Sequence, residues 1–162
     1  TPIKSSAASD VYKRQQLHYV ICGEGPDMPF LQKLTRQLHL EERVHLLGYR
    51  TDIPDMLGAA DIFCMPSRRE GCGMAALEAM AAGLPLITVR SHGTKTYAEK
   101  GESGFCLKGD LVTSCADAIE QLADNKLLRR QMGARNRAAA TAFSDADRMM
   151  LLRGYYQKAL GD

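Results

Sequence analysis

An α/β fold, with a parallel β-sheet covered by helices on both faces, is what this 162-residue sequence predicts, and three observations carry it. Short, continuous apolar runs recur along the chain, as expected of strands buried on both faces rather than strands with one wet face, which alternate. Segments of helical period separate them. Glycine or proline closes nearly every run, at Gly23, Gly48, Pro66 and Gly83-Leu84-Pro85, so the elements are short and their connections tight.

The elements follow in order. Leu17-His18-Tyr19-Val20-Ile21-Cys22 reads as the first strand, stopped by Gly23-Glu24-Gly25-Pro26. Asp27 is placed to cap a helix over 28–38, whose Phe30, Leu31, Leu34 and Leu38 share one face; His39 ends it. Residues 44–47 form the second strand. Asp52 is placed to cap a short helix over 53–59, with Pro54 in its tolerant first turn. Residues 62–65 form the third strand. A glycine turn leads into a helix over 74–82, which Gly83 ends. Residues 86–89 and 105–107 give two more strands. Helices over 111–123, 126–141 and 145–160 complete the chain, with Asp110 and Ser144 at cap positions.

Residues 1–15 stand apart. They have little apolar periodicity, and the run 6–15 resembles adaptor-derived sequence. They are expected to be a non-native or disordered leader, with the domain proper spanning 16–162.

Composition narrows the function classes. A 45% apolar and 25% charged chain is ordinary for a globular domain. A formal charge of +2, with Lys and Arg read as interleaved with acids, gives no reason to expect nucleic-acid binding. No apolar run has the length of a membrane span. Five cysteines without a C-x-x-C pair argue against a metal cage or a disulfide framework. Cys22, Cys64 and Cys106 read as small core hydrophobes. Cys72 reads as a turn residue, since a nucleophilic role would need a base that no neighbouring His supplies.

The stretch with chemical content runs from Glu70 to Glu78. Gly71 and Gly73 allow close backbone approach and unusual angles. The helix starting near Met74 points its free N–H groups at that turn, a place suited to phosphate. Ionised carboxylates only accept hydrogen bonds, so Glu70 and Glu78 suit hydroxyl donors such as those of sugars. In a parallel sheet ligands bind beyond the carboxyl ends of the strands, which groups the loops 23–26, 48–50, 67–75 and 91–96. In the last of these His92 reads as an exposed loop residue or a site histidine. Arg68 and Arg69 either face phosphate, form a solvated basic pair, or make a salt bridge to Glu70. His18 and His45 read as structural.

Four segments in order, Gly23-Glu24-Gly25-Pro26, 43–50, 60–67 and 70–85, resemble the nucleotide-sugar-binding C-terminal half of retaining, family 4, GT-B type glycosyltransferases, of the bacterial exopolysaccharide and capsule kind. The likeness runs from about Leu17 to the C terminus and implies one Rossmann-like lobe of a GT-B fold. It assigns to Glu70 the contact with the donor sugar's hydroxyls, as the catalytic-site acid, and to Glu78 the ribose. Backbone amides of Gly73, Met74 and Ala75 would meet the sugar or diphosphate, Gly23 would border the donor, and Tyr49 and Arg50 would contact the base. It implies a nucleotide diphosphate sugar as donor substrate, no cofactor and no metal. The acceptor, a glycan or lipid-linked molecule, would be held by an N-terminal half outside this chain, as would the first strand–loop–helix and its phosphate-binding cations, so transfer by this chain alone is not expected. Lys95 and Thr96 stand where relatives often carry an acid. A cytoplasmic location, peripheral contact with the inner membrane and self-association through Tyr155, Tyr156 and Leu160 complete the expectation. Two other readings remain at this point: a stand-alone nucleotide-sugar-binding module with a separate acceptor subunit, and a GT-B epimerase, against which the Glu-x7-Glu spacing argues.

Overall fold

The computed structural model describes residues 17–71, 73–89 and 102–143. The expected helix over 145–160, Ser144, Cys72 and the loop 91–96 lie outside the described residues. The backbone divides into two compact units, Thr1–Asp52 and Ile53–Asp162.

In the first unit, β1 (Tyr19–Cys22) pairs in parallel with β2 (Val44–Gly48), and α1 (Met28–Gln37) connects them. His18 and His45 are joined by a ring-nitrogen hydrogen bond of 3.0 Å, a structural pairing as expected. Asp27 does not cap α1 as predicted: its backbone is already helical, and its side chain makes no cap bond. Pro29 in the first turn also removes one of the N–H groups a cap would serve. The helix ends through His39, whose left-handed backbone (φ 53°) lets Leu40 N donate to Thr35 O.

In the second unit, β3 (Phe63–Met65), β4 (Leu86–Val89) and β5 (Gly104–Leu107) form a parallel sheet in that order. Its helices are α2 (Ile53–Ala59), α3 (Met74–Ala82), α4 (Leu111–Asp124) and α5 (Lys126–Ala140). Side chains alternate across the sheet, so each face feeds its own core. Met65 and Leu86 pack with Ala76, Leu77 and Met80 of α3 on one face. Ile87 and Leu107 pack with Ala118 and Leu122 of α4 on the other. Helix α5 serves both, through Met132 in the second cluster and Ala140 against the first. Helices therefore cover both faces, as the continuous apolar strands require.

Helix α5 approaches very closely. A Cβ on Gly133 would lie 2.0 Å from Gly83 O. One turn on, the buried Asn136 donates through Nδ2 to Leu84 O (2.6 Å) and Ser103 O (2.8 Å), the residues leading into β4 and β5. The amino ends of two strands are thereby tied to one helix.

Caps set the remaining boundaries. Asp110 caps α4 as predicted: the Thr113 hydroxyl, and then Val112 N–H, hold its carboxyl below the usual carboxylate range. Asn125, which the sequence reading passed over, caps α5 by accepting from Leu128 N at 2.9 Å. Asn125→Ala is expected to lower stability by about 1 kcal/mol, measured by denaturant unfolding at an unchanged m-value.

Candidate functional site

The loop 66–73 leaves the carboxyl end of β3 and delivers the chain to α3. Gly73 turns the corner in the left-handed region (φ 68°, ψ 50°), and it is buried. Any other residue would strain that backbone by roughly 1–2 kcal/mol. Gly71 was expected to share this task and does not, since it is not among the positive-φ glycines; a Cβ there meets nothing within 4 Å.

The half-buried Glu70 reaches back over the turn and accepts from Gly73 N at 3.2 Å. Ala76 N and Leu77 N both donate to Gly73 O. Met74 N and Ala75 N have no acceptor among the described residues, which leaves two adjacent N–H groups at the positive end of a helix. No ion pair joins Arg68 or Arg69 to Glu70; both arginines are exposed. Glu78 lies one turn inside α3. Met74, Ala75 and Glu78 are exposed, while Ala76, Leu77, Ala79 and Met80 are buried. The helical period thus presents Met74, Ala75 and Glu78 on one outward face. Amide donors lie between one carboxylate that fixes the turn and one that is exposed.

The first unit carries the other predicted positions. Gly23 follows β1 with φ 135° and donates to Gly48 O at 2.7 Å, which draws the carboxyl ends of β1 and β2 together. Tyr49 is 73% exposed. Arg50 forms a two-pronged contact with Asp52, with Nε to Oδ1 at 2.8 Å. That hydrogen bond raises Arg50 above and holds Asp52 below their ordinary ranges. Asp52 was expected to cap α2; its carboxylate is taken instead by Arg50, because a charge-assisted fork outcompetes a backbone N–H. The sequence reading missed this pair, although an acid two residues from an arginine was its visible signal.

Among the described residues no helix is long and apolar enough to cross a membrane, and no group of three or more His, Cys, Asp or Glu could hold a metal ion. Among the described residues Cys22, Cys64, Cys106 and Cys115 form no disulfide.

A parallel α/β lobe with helices on both faces and a glycine turn opening a helix at a strand's carboxyl end has the architecture of one lobe of the GT-B glycosyltransferase fold. The family model "Glycosyl transferases group 1" matches residues 4–139, and the chain belongs to that family. The number suggested by resemblance, family 4, is corrected by this match to group 1. The short motifs that prompted it report a turn and a helix start, geometry that carries no family number.

The chain is 35% identical over 119 residues to N-acetyl-alpha-D-glucosaminyl L-malate synthase of Bacillus anthracis, covering 73% of this chain and 31% of that protein. It is also 35% identical over 111 residues to UDP-Gal:alpha-D-GlcNAc-diphosphoundecaprenol alpha-1,3-galactosyltransferase of Escherichia coli, covering 68% and 29%. The chain thus spans about a third of the length of the curated relatives it matches. Among solved structures it matches the pneumococcal O-GlcNAc transferase GtfA in complex with UDP and GlcNAc, with TM-score 0.83, 22% identity and coverage of 95% of this chain and 32% of that one. Anabaena HepE in complex with UDP matches with TM-score 0.79 and 21% identity, over 96% and 45%. At these identities the structural likeness is one of fold.

Proposed function

We propose that this chain is the donor-binding lobe of a retaining glycosyltransferase that moves a sugar from a nucleotide diphosphate sugar to a glycan or lipid-linked acceptor in cell-envelope polysaccharide synthesis. One observation carries the reading: two amides without an acceptor among the described residues, Met74 N and Ala75 N, open a helix between Glu70 and the outward-facing Glu78. In this reading the diphosphate lies against those amides and the helix's positive end. Glu70, held over the turn by Gly73 N, receives the donor sugar's hydroxyls as the catalytic-site acid. Glu78 accepts from the ribose. Gly23 borders the donor, and Tyr49 and Arg50 meet the base, with Asp52 orienting the guanidinium.

Retention proceeds by displacement on the face the leaving group departs from, through an oxocarbenium-like state. The lobe contributes positioning and amide stabilisation of the departing diphosphate. The donor is bound without a metal. The acceptor is held by a second lobe, in the cytoplasm at the inner-membrane surface, and self-association uses apolar residues of the C-terminal segment. Support comes from two similar proteins, the UDP-Gal:alpha-D-GlcNAc-diphosphoundecaprenol alpha-1,3-galactosyltransferase of Escherichia coli and the lipopolysaccharide core biosynthesis glycosyltransferase LpsE of Rhizobium meliloti.

The test is calorimetry with uridine, guanosine and adenosine diphosphates. Binding of one of them is expected, weakened about tenfold to a hundredfold in Glu78→Ala, the loss of one charge-assisted bond. Parent-like binding by that variant removes the ribose assignment, and no binding of any of the three by the parent removes the donor site.

A further inference from the structure

A cleft lies at the amino-terminal end of the three-stranded sheet, away from the Glu70–Ala75 turn. It encloses about 180 Å³ between the turn at 60–61, the turn at 83–85, and Lys126, Arg129 and Arg130 on the first turns of α5. That is well under the roughly 300–1,000 Å³ typical of pockets for drug-sized ligands, so it suits a small group.

Its charge is one-sided. Among the described lining residues three cations face one carboxylate, Asp61, whose side chain is 79% exposed and 3.5 Å from Arg129. A pair that open is weak and leaves the cleft positive. Arg129 is only 18% exposed and is held rigidly, with Nη1 donating to Leu122 O (2.6 Å) and Ala123 O (2.9 Å) while Nη2 is turned toward the cleft's carboxylate. Lys126 and Arg130 are exposed and form no ion pair among the described residues.

The placement runs against helix electrostatics, since cations are disfavoured in a first turn where acids are favoured. Nor are bases and acids interleaved here as the sequence reading had them: residues 126–140 contain five Lys and Arg and no acid. With a formal charge of +2 for the whole chain, the remainder is negative. The opposite wall is stiff, because Gly133 packs on Gly83 and Asn136 holds Leu84 O.

We infer that this cleft binds a phosphoryl group, a monoester or diester, recognised by the Arg129 and Arg130 guanidinium groups and the Lys126 ammonium. The source is a soluble phosphate ester or an anionic lipid headgroup. The chain thereby carries an anion site at the end of the sheet away from the Glu70–Ala75 turn.

Calorimetry with inorganic phosphate, and cosedimentation with phosphatidylcholine vesicles with and without phosphatidylglycerol, tests this on the full chain. Lys126→Gln/Arg130→Gln is expected to weaken binding by about tenfold or more, and Asp61→Asn to tighten it several-fold. Both basic side chains are exposed, so the fold and nucleoside diphosphate binding stay at parent levels; Arg129 is left intact because it caps α4. Free phosphate bound without vesicles identifies a soluble ester, and phosphatidylglycerol binding that needs Lys126 and Arg130 identifies a lipid headgroup. Binding that survives the double substitution, or no binding of phosphate or vesicles by the parent, overturns the site.

Discussion

Asn136→Asp is expected to destabilise the protein by about 3–5 kcal/mol at neutral pH, the usual cost of an uncompensated buried charge. The change keeps size and shape, so it isolates the two donors. Asn136 is 1% exposed, and its Nδ2 faces two carbonyl oxygens, Leu84 O and Ser103 O. A carboxylate there would present acceptors to acceptors in a dry site. The loss should shrink on acidification. The folded-state pKa of the introduced acid would be raised by burial and by the carbonyls, so the folded state would bind more protons than the unfolded one above the ordinary carboxylate range. Stability then rises as pH falls through the raised value, and the protonated acid can donate one bond back. Urea unfolding of parent and variant across acidic to neutral pH reads this out. A variant within about 1 kcal/mol of the parent at neutral pH, or one whose deficit grows on acidification, would refute the clamp.

Gly104→Ala should cost a comparable amount, about 3–5 kcal/mol. Its φ of +149° lies where only glycine rests comfortably, and a Cβ would come within 1.9 Å of Leu86 O. Leu86 and Gly104 are register partners in adjacent strands, so relief requires separating β4 from β5 rather than turning a side chain. Backbone strain and overpacking each contribute roughly 1–3 kcal/mol, a large share of a domain's usual 5–15 kcal/mol. The measurement is the denaturation midpoint. An unchanged midpoint would mean that the strand separation at Leu86 is not enforced by sterics.

Much of the fold was legible because local rules and tertiary packing agree in this chain. The boundaries of α3 follow from Gly73 and Gly83, both with positive φ, which the sequence placed correctly on the strength of a small-residue run between two glycines. The strands followed from apolar runs too short for helices, and the parallel pairing of β1 with β2 and of β3 with β4 from the helices between them. The misses are contests between partners. Asp27 and Asp52 are good caps in isolation; one already has helical backbone, and the other is drawn to Arg50. The competitors, Arg50 and Pro29, stand within two residues of these acids, but cap propensity alone does not weigh them.

The sequence by itself determined the α/β class, the order of elements and the Glu70–Glu78 run, because hydrophobic period, glycine conformation and helix polarity are properties of neighbouring residues. Only the tertiary structure decided what those residues touch. Glu70 became the acceptor for Gly73 N, while Met74 N and Ala75 N have no acceptor among the described residues. Asn136 became a clamp on residues 52 and 33 positions away. Lys126, Arg129 and Arg130 gathered around the 60–61 and 83–85 turns. Such contacts depend on distances between segments far apart in the chain, and those exist only once helices have closed over the sheet.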